Sequence, residues 1–339
     1  AITYHSGRRI QGTSTDATAV SGGWKELART TLGSSGDNIS VASLPDKRYY
    51  MVLAHNIAGG SINWNFRVGT GGTLDTGSNY SDRHGQNGAG DTRTLSANRW
   101  GDILANSSRD RFTQLYIANK SGKEKLMMGH IVDRGSSTGS AVPERVEICG
   151  KWTNTSLIDV LSLQDDNSQS FGSGSEMVVL GWDPDDTHTT NFWEELASVE
   201  LSSAGDTLDS GTFTAKKYLW VQIYTKNVGT INHAVQYNGD TGSNYSFRRN
   251  LDGTSEGTDT GESSDPTISM SSLGGFPLFA NIFIINKSAN EKLTIAHTIM
   301  QNTAGAGDAP KRREGVCKWA NTSNQITQIT STNSESGSY

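Results

Sequence analysis

In KYLWVQIY, residues 217–224, Leu219, Val221 and Ile223 alternate with Tyr218, Trp220 and Gln222. A period of two sends alternate side chains to opposite faces of a β-strand. PLFANIFIIN at 277–286 is a denser aromatic and β-branched run, too short for a stable helix. Matching runs precede them: RYYMVLAH (48–55), FTQLYIAN (112–119), EKLMMGHIV (124–132), RVEICGKW (145–152), LIDVLSL (157–163) and SEMVVLGW (175–182). Clusters of Gly, Asn, Asp and Ser separate these runs at about ten-residue intervals, the rhythm of an antiparallel sandwich or barrel. WKELA (24–28) and WEELA (193–197) are the main helical candidates, each about one turn long.

The chain repeats itself. WKELARTTLGSSGD at 24–37 lines up with WEELASVELSSAGD at 193–206, and RYYMV at 48–52 with KYLWV at 217–221. DTGSNYS occurs at 75–81 and again at 240–246. IANKSGKEKL (117–126) matches IINKSANEKL (284–293), and KWTNTS (151–156) matches KWANTS (318–323). The first copy carries extra residues in the Gly/Thr-rich stretch VGTGGTL (68–74), where a surface loop tolerates insertion. The expected fold is all-β: two tandem antiparallel β-sandwiches of jelly-roll type, produced by internal duplication. The expected boundaries are an N-terminal arm at 1–22, a first sandwich at 23–182, a linker at 183–190 and a second sandwich at 191–339.

The copies differ at their ends. The first closes with SGSEMVVLGWD (173–183), whereas the second reaches SESGSY without such a strand. A sandwich lacking a strand exposes unpaired backbone groups beside its core. Three fillers suit that gap: residues 1–20 of the same chain, the same arm of a neighbouring molecule, or residues beyond 339. The arm AITYHSGRRIQGTSTD has no counterpart inside the repeat and is expected to make subunit contacts, with Tyr4, Arg8, Arg9 and Ile10 as its contact residues.

Composition narrows the partners. Acidic residues number 35 against 29 basic ones, giving a net charge of −6, so no positive excess is available for a phosphate backbone. Direct nucleic-acid binding is therefore not expected. No run approaches the roughly 20 apolar residues of a spanning helix, so membrane insertion is not expected either. Two cysteines are too few for a disulfide framework. Cys149 and Cys317 sit one position out of step between the copies, so on matching strands they face opposite sides.

No HExxH, paired CxxC, GxSxG or P-loop pattern occurs. His130 and His297 are repeat equivalents and read as ordinary strand histidines. The acidic loops DPDD (183–186) and DGTSEGTDTGESSD (252–265) lack EF-hand spacing, so Ca²⁺ ranks behind a solvated loop and no cofactor is expected. Repeated acids such as Glu26/Glu195 and Asp75/Asp240 are one acid copied into two domains, not two carboxylates across one cleft. A non-enzymatic protein is the expectation. Polar loops bearing Tyr and Asn suit glycans, which makes Asp75, Asn79, Tyr80 and Arg83, with Asp240, Asn244, Tyr245 and Arg248, the candidate glycan or contact residues. Trp152 and Trp319 would join them if exposed. The same residue types also serve turn geometry and core packing, and that use carries the greater weight. The sequons NKS (119, 286) and NTS (154, 321) arise easily in a Ser/Thr-rich chain.

The opening SGRRIQGTSTDAT, the repeated W-x-E-L-A with its following GD, DTGSNY, INKS-x-x-EKL, the P-x-R before KW-x-NTS, and GSE-x-VVLGWDP together resemble an uncharacterised group of tandem-repeat proteins from marine viral genomes and environmental sequence. The resemblance covers nearly the whole chain and carries no catalytic residues to transfer. It implies a virion or extracellular surface component: a capsid, fibre or appendage subunit that contacts copies of itself and other virion proteins. A secreted or surface lectin-like protein with one shallow site per repeat is the alternative, and a polysaccharide depolymerase ranks last.

Overall fold

The computed structural model describes residues 23–339 apart from 166–168, 187, 189, 271–275 and 302–303, with the side chains of 102–107 and 255 outside the description. The arm, with Tyr4, Arg8, Arg9 and Ile10, lies outside the described residues. All regular structure among the described residues is strand, as the alternating pattern predicts. Two compact units result among the described residues: 23–85, 90–131 and 147–195 form unit 1, while 86–89, 132–146 and 196–339 form unit 2.

The first strands are β1 (Lys25–Thr31), β2 (Asn38–Val41), β3 (Tyr49–Asn56), β4 (Ile62–Thr70), β5 (Thr73–Leu74), β6 (Tyr80–Gln86), β7 (Thr92–Ala97), β8 (Trp100–Ser107), β9 (Arg111–Ala118), β10 (Lys125–Asp133), β11 (Glu144–Trp152), β12 (Val160–Gln164) and β13 (Glu176–Trp182). One sheet runs β1-β13-β3-β9-β10-β11-β6-β7 and the other β2-β12-β4-β5, with β8 also on β4. Trp64 of β4 donates its indole N–H to Thr113 of β9 at 3.1 Å, and the Tyr80 ring of β6 meets Trp100 of β8 edge-on at 5.4 Å. Those contacts join the two sheets face to face. The core is aromatic: Trp64, Tyr80, Trp100 and Trp152 are all 0 % exposed. Large rings fill a sandwich interior while their N–H and O–H groups find partners at the rim.

The later strands are β14 (Thr207–Asp209), β15 (Tyr218–Lys226), β16 (His233–Tyr237), β17 (Tyr245–Leu251), β18 (Ser255–Glu262), β19 (Pro277–Ile285), β20 (Lys292–Met300), β21 (Lys311–Trp319) and β22 (Ile329–Asn333). They form the sheets β15-β19-β20-β21-β17-β18 and β14-β22-β16. Between them Leu219, Ile223, Tyr237, Tyr245, Phe247, Ile284, Trp319 and Ile326 close one core. The strand order repeats that of β3-β9-β10-β11-β6-β7 and β2-β12-β4, element for element.

The two helical candidates are a correction. Lys25–Thr31 is strand β1, antiparallel to β13 with a bulge between Glu26 and Ala28. Arg29 and Thr31 both bond to Glu176, at 2.9 and 2.6 Å, which ties the segment to its neighbour. One turn cannot repay helix nucleation, whereas an available strand edge offers a ladder of hydrogen bonds. The matching stretch 194–201 forms neither helix nor strand.

That difference follows from β13. β13 lies between β1 and β3, so both its edges are paired, and both faces of β3 and β13 are buried. In unit 2 no described strand stands in β13's place, so β15 ends its sheet and pairs with β19 alone. Val52 of β3 is 0 % exposed, while its counterpart Val221 is half-buried. An aspartate at Val52 should therefore cost about 3 kcal/mol or more and one at Val221 distinctly less. Urea unfolding of Val52→Asp and Val221→Asp checks this; equal losses would mean that the edge of β15 is as closed as that of β3.

Candidate functional site

The repeated motif folds into one corner in each unit. In unit 1 the Asp75 carboxylate accepts the Gly77 N–H at 2.8 Å, the Asn79 amide at 2.9 Å and the Trp152 indole N–H at 2.7 Å. In unit 2 Asp240 accepts Gly242 N–H at 2.8 Å, Asn244 at 2.9 Å and Trp319 at 2.7 Å. Burial raises the pKa of each carboxyl, but the hydrogen bonds outweigh it, from Gly77, Trp152 and Asn79 at Asp75 and from Trp319, Gly242 and Asn244 at Asp240. Both therefore lie below the ordinary carboxylate value. The glycine in the motif is steric: a Cβ at Gly77 would sit 2.9 Å from the Asn79 amide nitrogen, and one at Gly242 would sit 2.8 Å from that of Asn244.

The rest of the repeated sequence completes the corner. Tyr80 donates to the Val68 carbonyl at 2.7 Å, and the hydroxyl of Tyr245 accepts the Tyr237 N–H at 3.0 Å. Thr153 N–H bonds to Asn79 O at 2.9 Å, and Ala320 N–H to Asn244 O at 2.8 Å. The ammonium groups of Lys125 and Lys292 reach the carbonyls of Thr155 and Asn321, at 3.0 and 2.9 Å. Burial lowers the Lys292 pKa to about 8 against the opposing charge of Glu291. Asn119 and Asn286 use their amides to hold Ile158 and Ile326, each accepting the backbone N–H at 2.9 and 2.6 Å. So INKS-x-x-EKL, DTGSNY and KW-x-NTS are three strands' ends locked together by side chain–backbone bonds.

This corrects the glycan reading of those loops. Tyr80 and Tyr245 are both 0 % exposed, and Trp152 and Trp319 are 0 % and 1 %, so no ring face is open to a sugar. The carboxylates of Asp75 and Asp240 and the amide nitrogens of Asn79 and Asn244 are engaged within the corner. Arg83 is exposed beside Asp91 at 3.5 Å, and Arg248 donates to the Pro143 carbonyl at 3.0 Å. The sequon asparagines Asn119 and Asn286 are buried at 1 % and 0 %, closed to glycosylation in the folded protein.

Other chemistry-bearing groups divide between surface and interior. Cys149 is exposed and Cys317 buried, both as free thiols, as the register of their strands requires. Burial pushes the Cys317 thiol up, and the nearby Asp265 carboxyl, also raised by burial, accepts from Tyr237 at 3.0 Å and from Thr267 N–H at 2.9 Å. Asp183 and Asp186 of the DPDD loop engage Arg48 and Lys47. Among the described residues no group of three or more His, Cys, Asp or Glu side chains is placed to hold a metal ion.

One surface in unit 2 is different. Tyr224, Phe279 and Ile299 stand directly opposite one another across β15, β19 and β20, and they are 65 %, 41 % and 48 % exposed. With Pro277, Gln301, Asp308 and Pro310 they line a shallow cleft of about 330 Å³. The matching positions of unit 1, His55 and Phe112, pair with each other in the same register but are 0 % and 1 % exposed. The sequence signal for this row was present: Tyr224 falls in phase with Gln222, on the polar side of its strand.

Comparison with known proteins leaves this surface unnamed. No family model and no curated protein matches the chain. Among solved structures, domains LG4-5 of the mouse laminin alpha1 chain align over 92 % of this chain and 91 % of that one, at 10 % identity and a TM-score of 0.21. The LG1-3 region of the laminin alpha2 chain aligns over 88 % and 59 %, at 8 % identity and a TM-score of 0.18. An acyl-CoA hydrolase from Agrobacterium tumefaciens follows at 7 % identity, 65 % and 76 % coverage, and a TM-score of 0.12. Scores this low carry no argument about function.

Two expectations follow from the buried groups. Trp319→Phe removes a charge-assisted bond from Asp240 and should destabilise unit 2 by about 1–3 kcal/mol in urea unfolding. His233 is enclosed with its ring stacked on Tyr339 at 4.8 Å, and burial lowers its pKa to about 4. The unfolded chain binds a proton near pH 6.5 that the folded one refuses until about 4, so stability falls as pH drops through that window. Melting temperature measured from pH 7 to 4 should show this decline, and His233→Phe should flatten it; an unchanged slope in the variant would place the titration elsewhere.

Proposed function

We propose that this chain is a non-enzymatic structural subunit of a virion or extracellular surface, working by self-association through unit 2. The observation that carries this reading is the Tyr224–Phe279–Ile299 row, whose counterparts His55 and Phe112 in unit 1 are buried. Contiguous exposed apolar side chains on a sheet face mark interaction sites, since they gain by leaving water. The repeated aspartates and tyrosines are held within the corners, and this row is a surface that the second unit does not share with the first. Assembly by an N-terminal arm remains part of the proposal for residues 1–22. No helix among the described residues is long and apolar enough to cross a membrane.

A second reading rests on the cleft itself. Tyr224 and Phe279 beside Gln301 and Asp308 combine aromatic surface with amide and carboxylate groups, the set a pyranose ring uses. A lectin-like role would then sit at this cleft and not at the repeated loops.

Light scattering and electron microscopy of the full chain at micromolar concentration separate the two. Oligomers, rings or filaments are expected for the wild type, and Tyr224→Ser with Phe279→Ser should shift the population to monomer. A wild type that stays monomeric sinks the assembly reading. Glycan-array binding that disappears in the same double variant would then favour the lectin-like one.

A further inference from the structure

Residues 132–146, where β10 turns into β11, belong to unit 2 and are bonded to one face of its larger sheet. The Lys318 ammonium donates to the Ser136 carbonyl at 2.6 Å, Arg248 donates to the Pro143 carbonyl at 3.0 Å, and the Glu291 carboxylate accepts the Thr138 N–H at 3.1 Å. Arg145 lies 3.4 Å from the Glu314 carboxylate. Among these groups Leu293 stands opposite Lys318, and Ile295 opposite Val316, across β20 and β21. Leu293, Ile295 and Val316 are 0 %, 2 % and 1 % exposed, while the alternate residues Ala296, Met300 and Cys317 point into the core on the other face.

Unit 1 carries the same face in a different state. Through IANKSGKEKL and IINKSANEKL, and through KWTNTS and KWANTS, Leu293, Ile295 and Val316 align with Leu126, Met128 and Cys149 on the neighbouring strands β10 and β11. Leu126 and Met128 are 59 % and 63 % exposed, and Cys149 is exposed as well. The polar frame is also kept: Glu124, Lys151 and Arg83 stand where Glu291, Lys318 and Arg248 stand, with their side chains about half open to solvent. A contiguous apolar row framed by polar groups marks an interaction site. In unit 2 the segment 132–146 shows what kind of chain this frame accepts.

By the same alignment the counterpart of 132–146 is 299–313. Residues 304–310 are exposed throughout, Arg312 is exposed at the position of Arg145, and Ile299 is exposed at the position of the buried Val132. Pro310 repeats Pro143, whose carbonyl Arg248 takes. The match is looser at the tip, where Ala306 replaces Gly139 between Gly305 and Gly307. The face and the stretch that suits it are both exposed in one chain, so the chain's own 304–310 is not seated there. We propose that the Leu126–Met128–Cys149 face of unit 1 binds a second copy of this chain, receiving its Ile299 and 304–313 as unit 2 receives 132–146. This rests on the assembly reading and supplies the other half of the contact begun by the Tyr224–Phe279–Ile299 row. Two unlike patches that fit each other join copies head to tail, which closes as a ring or runs on as a filament.

Leu126→Ser with Met128→Ser changes only solvent-facing side chains and should weaken self-association of the full chain by about tenfold or more in light scattering. Mixed with the Tyr224→Ser, Phe279→Ser variant it should give dimers and nothing larger, because each variant keeps the patch that the other has lost. Cys149 provides a readout on the unaltered chain, since Cys317 is buried. Maleimide should label Cys149 quickly in dilute monomer and slowly in the assembled protein. A wild type that assembles while the Leu126/Met128 variant assembles equally well, a mixture of the two variants that stays monomeric, or a Cys149 equally reactive in both states overturns this inference and leaves the assembly reading standing. Cys149 shielded already in the dilute monomer overturns it too, because the chain's own residues then cover the face. A wild type that stays monomeric sinks the assembly reading and this inference together.

Discussion

A carboxylate held against a buried indole organises each corner of this protein. Asp75 and Asp240 sit where one strand ends and the next begins, with three donors converging on each. A half-buried charge is costly unless its lone pairs are used, so the aspartate dictates its surroundings. It requires an indole N–H, hence Trp152 and Trp319; a tight turn, hence Gly77 and Gly242; and an amide, hence Asn79 and Asn244. Tyr80 and Tyr245 then lie beneath the turn and carry the corner into the aromatic core. The lysine and asparagine of INKS-x-x-EKL fasten the neighbouring loop to the same place. Repetition of these letters is thus explained by packing and hydrogen bonding alone.

With most of the repeated polar residues committed to that job, the surface that distinguishes the two units lies elsewhere. The units share strand order and corner chemistry but differ in what surrounds their third and fifteenth strands, β3 and β15. β3 is enclosed on both faces and both edges; β15 has an exposed Tyr224 on one face and an outer edge that no described strand pairs. Exposed apolar surface favours association by the hydrophobic effect. Its occurrence on Tyr224 makes β15 the element where the described surfaces of the two units differ.

Much of this architecture is legible in the residues. Alternation in KYLWVQIY and the dense run PLFANIFIIN identified β15 and β19, and the paired motifs identified which strands correspond. The difference at SGSEMVVLGWD was readable as letters, and among the described residues no strand of unit 2 stands in the place of β13. The helical reading of WKELA failed because local propensity was decided by a partner far along the chain: β1 is extended because Glu176 and its strand lie beside it. The glycan reading of DTGSNYS failed for a related reason. A tyrosine, an asparagine and an aspartate have the same composition whether they face solvent or each other.

By itself, then, the sequence determined the period of each strand, the correspondence of the two halves and the turn chemistry between strands, because these depend on residues close in the chain or on literal repetition. Only the tertiary structure decided which aromatic residues are enclosed and which are open. Trp152 and Tyr224 are both aromatic residues on β-strands, yet one is 0 % exposed with its N–H bound to a carboxylate and the other is 65 % exposed. Burial depends on what packs over a strand from distant parts of the chain, and no local pattern carries that information.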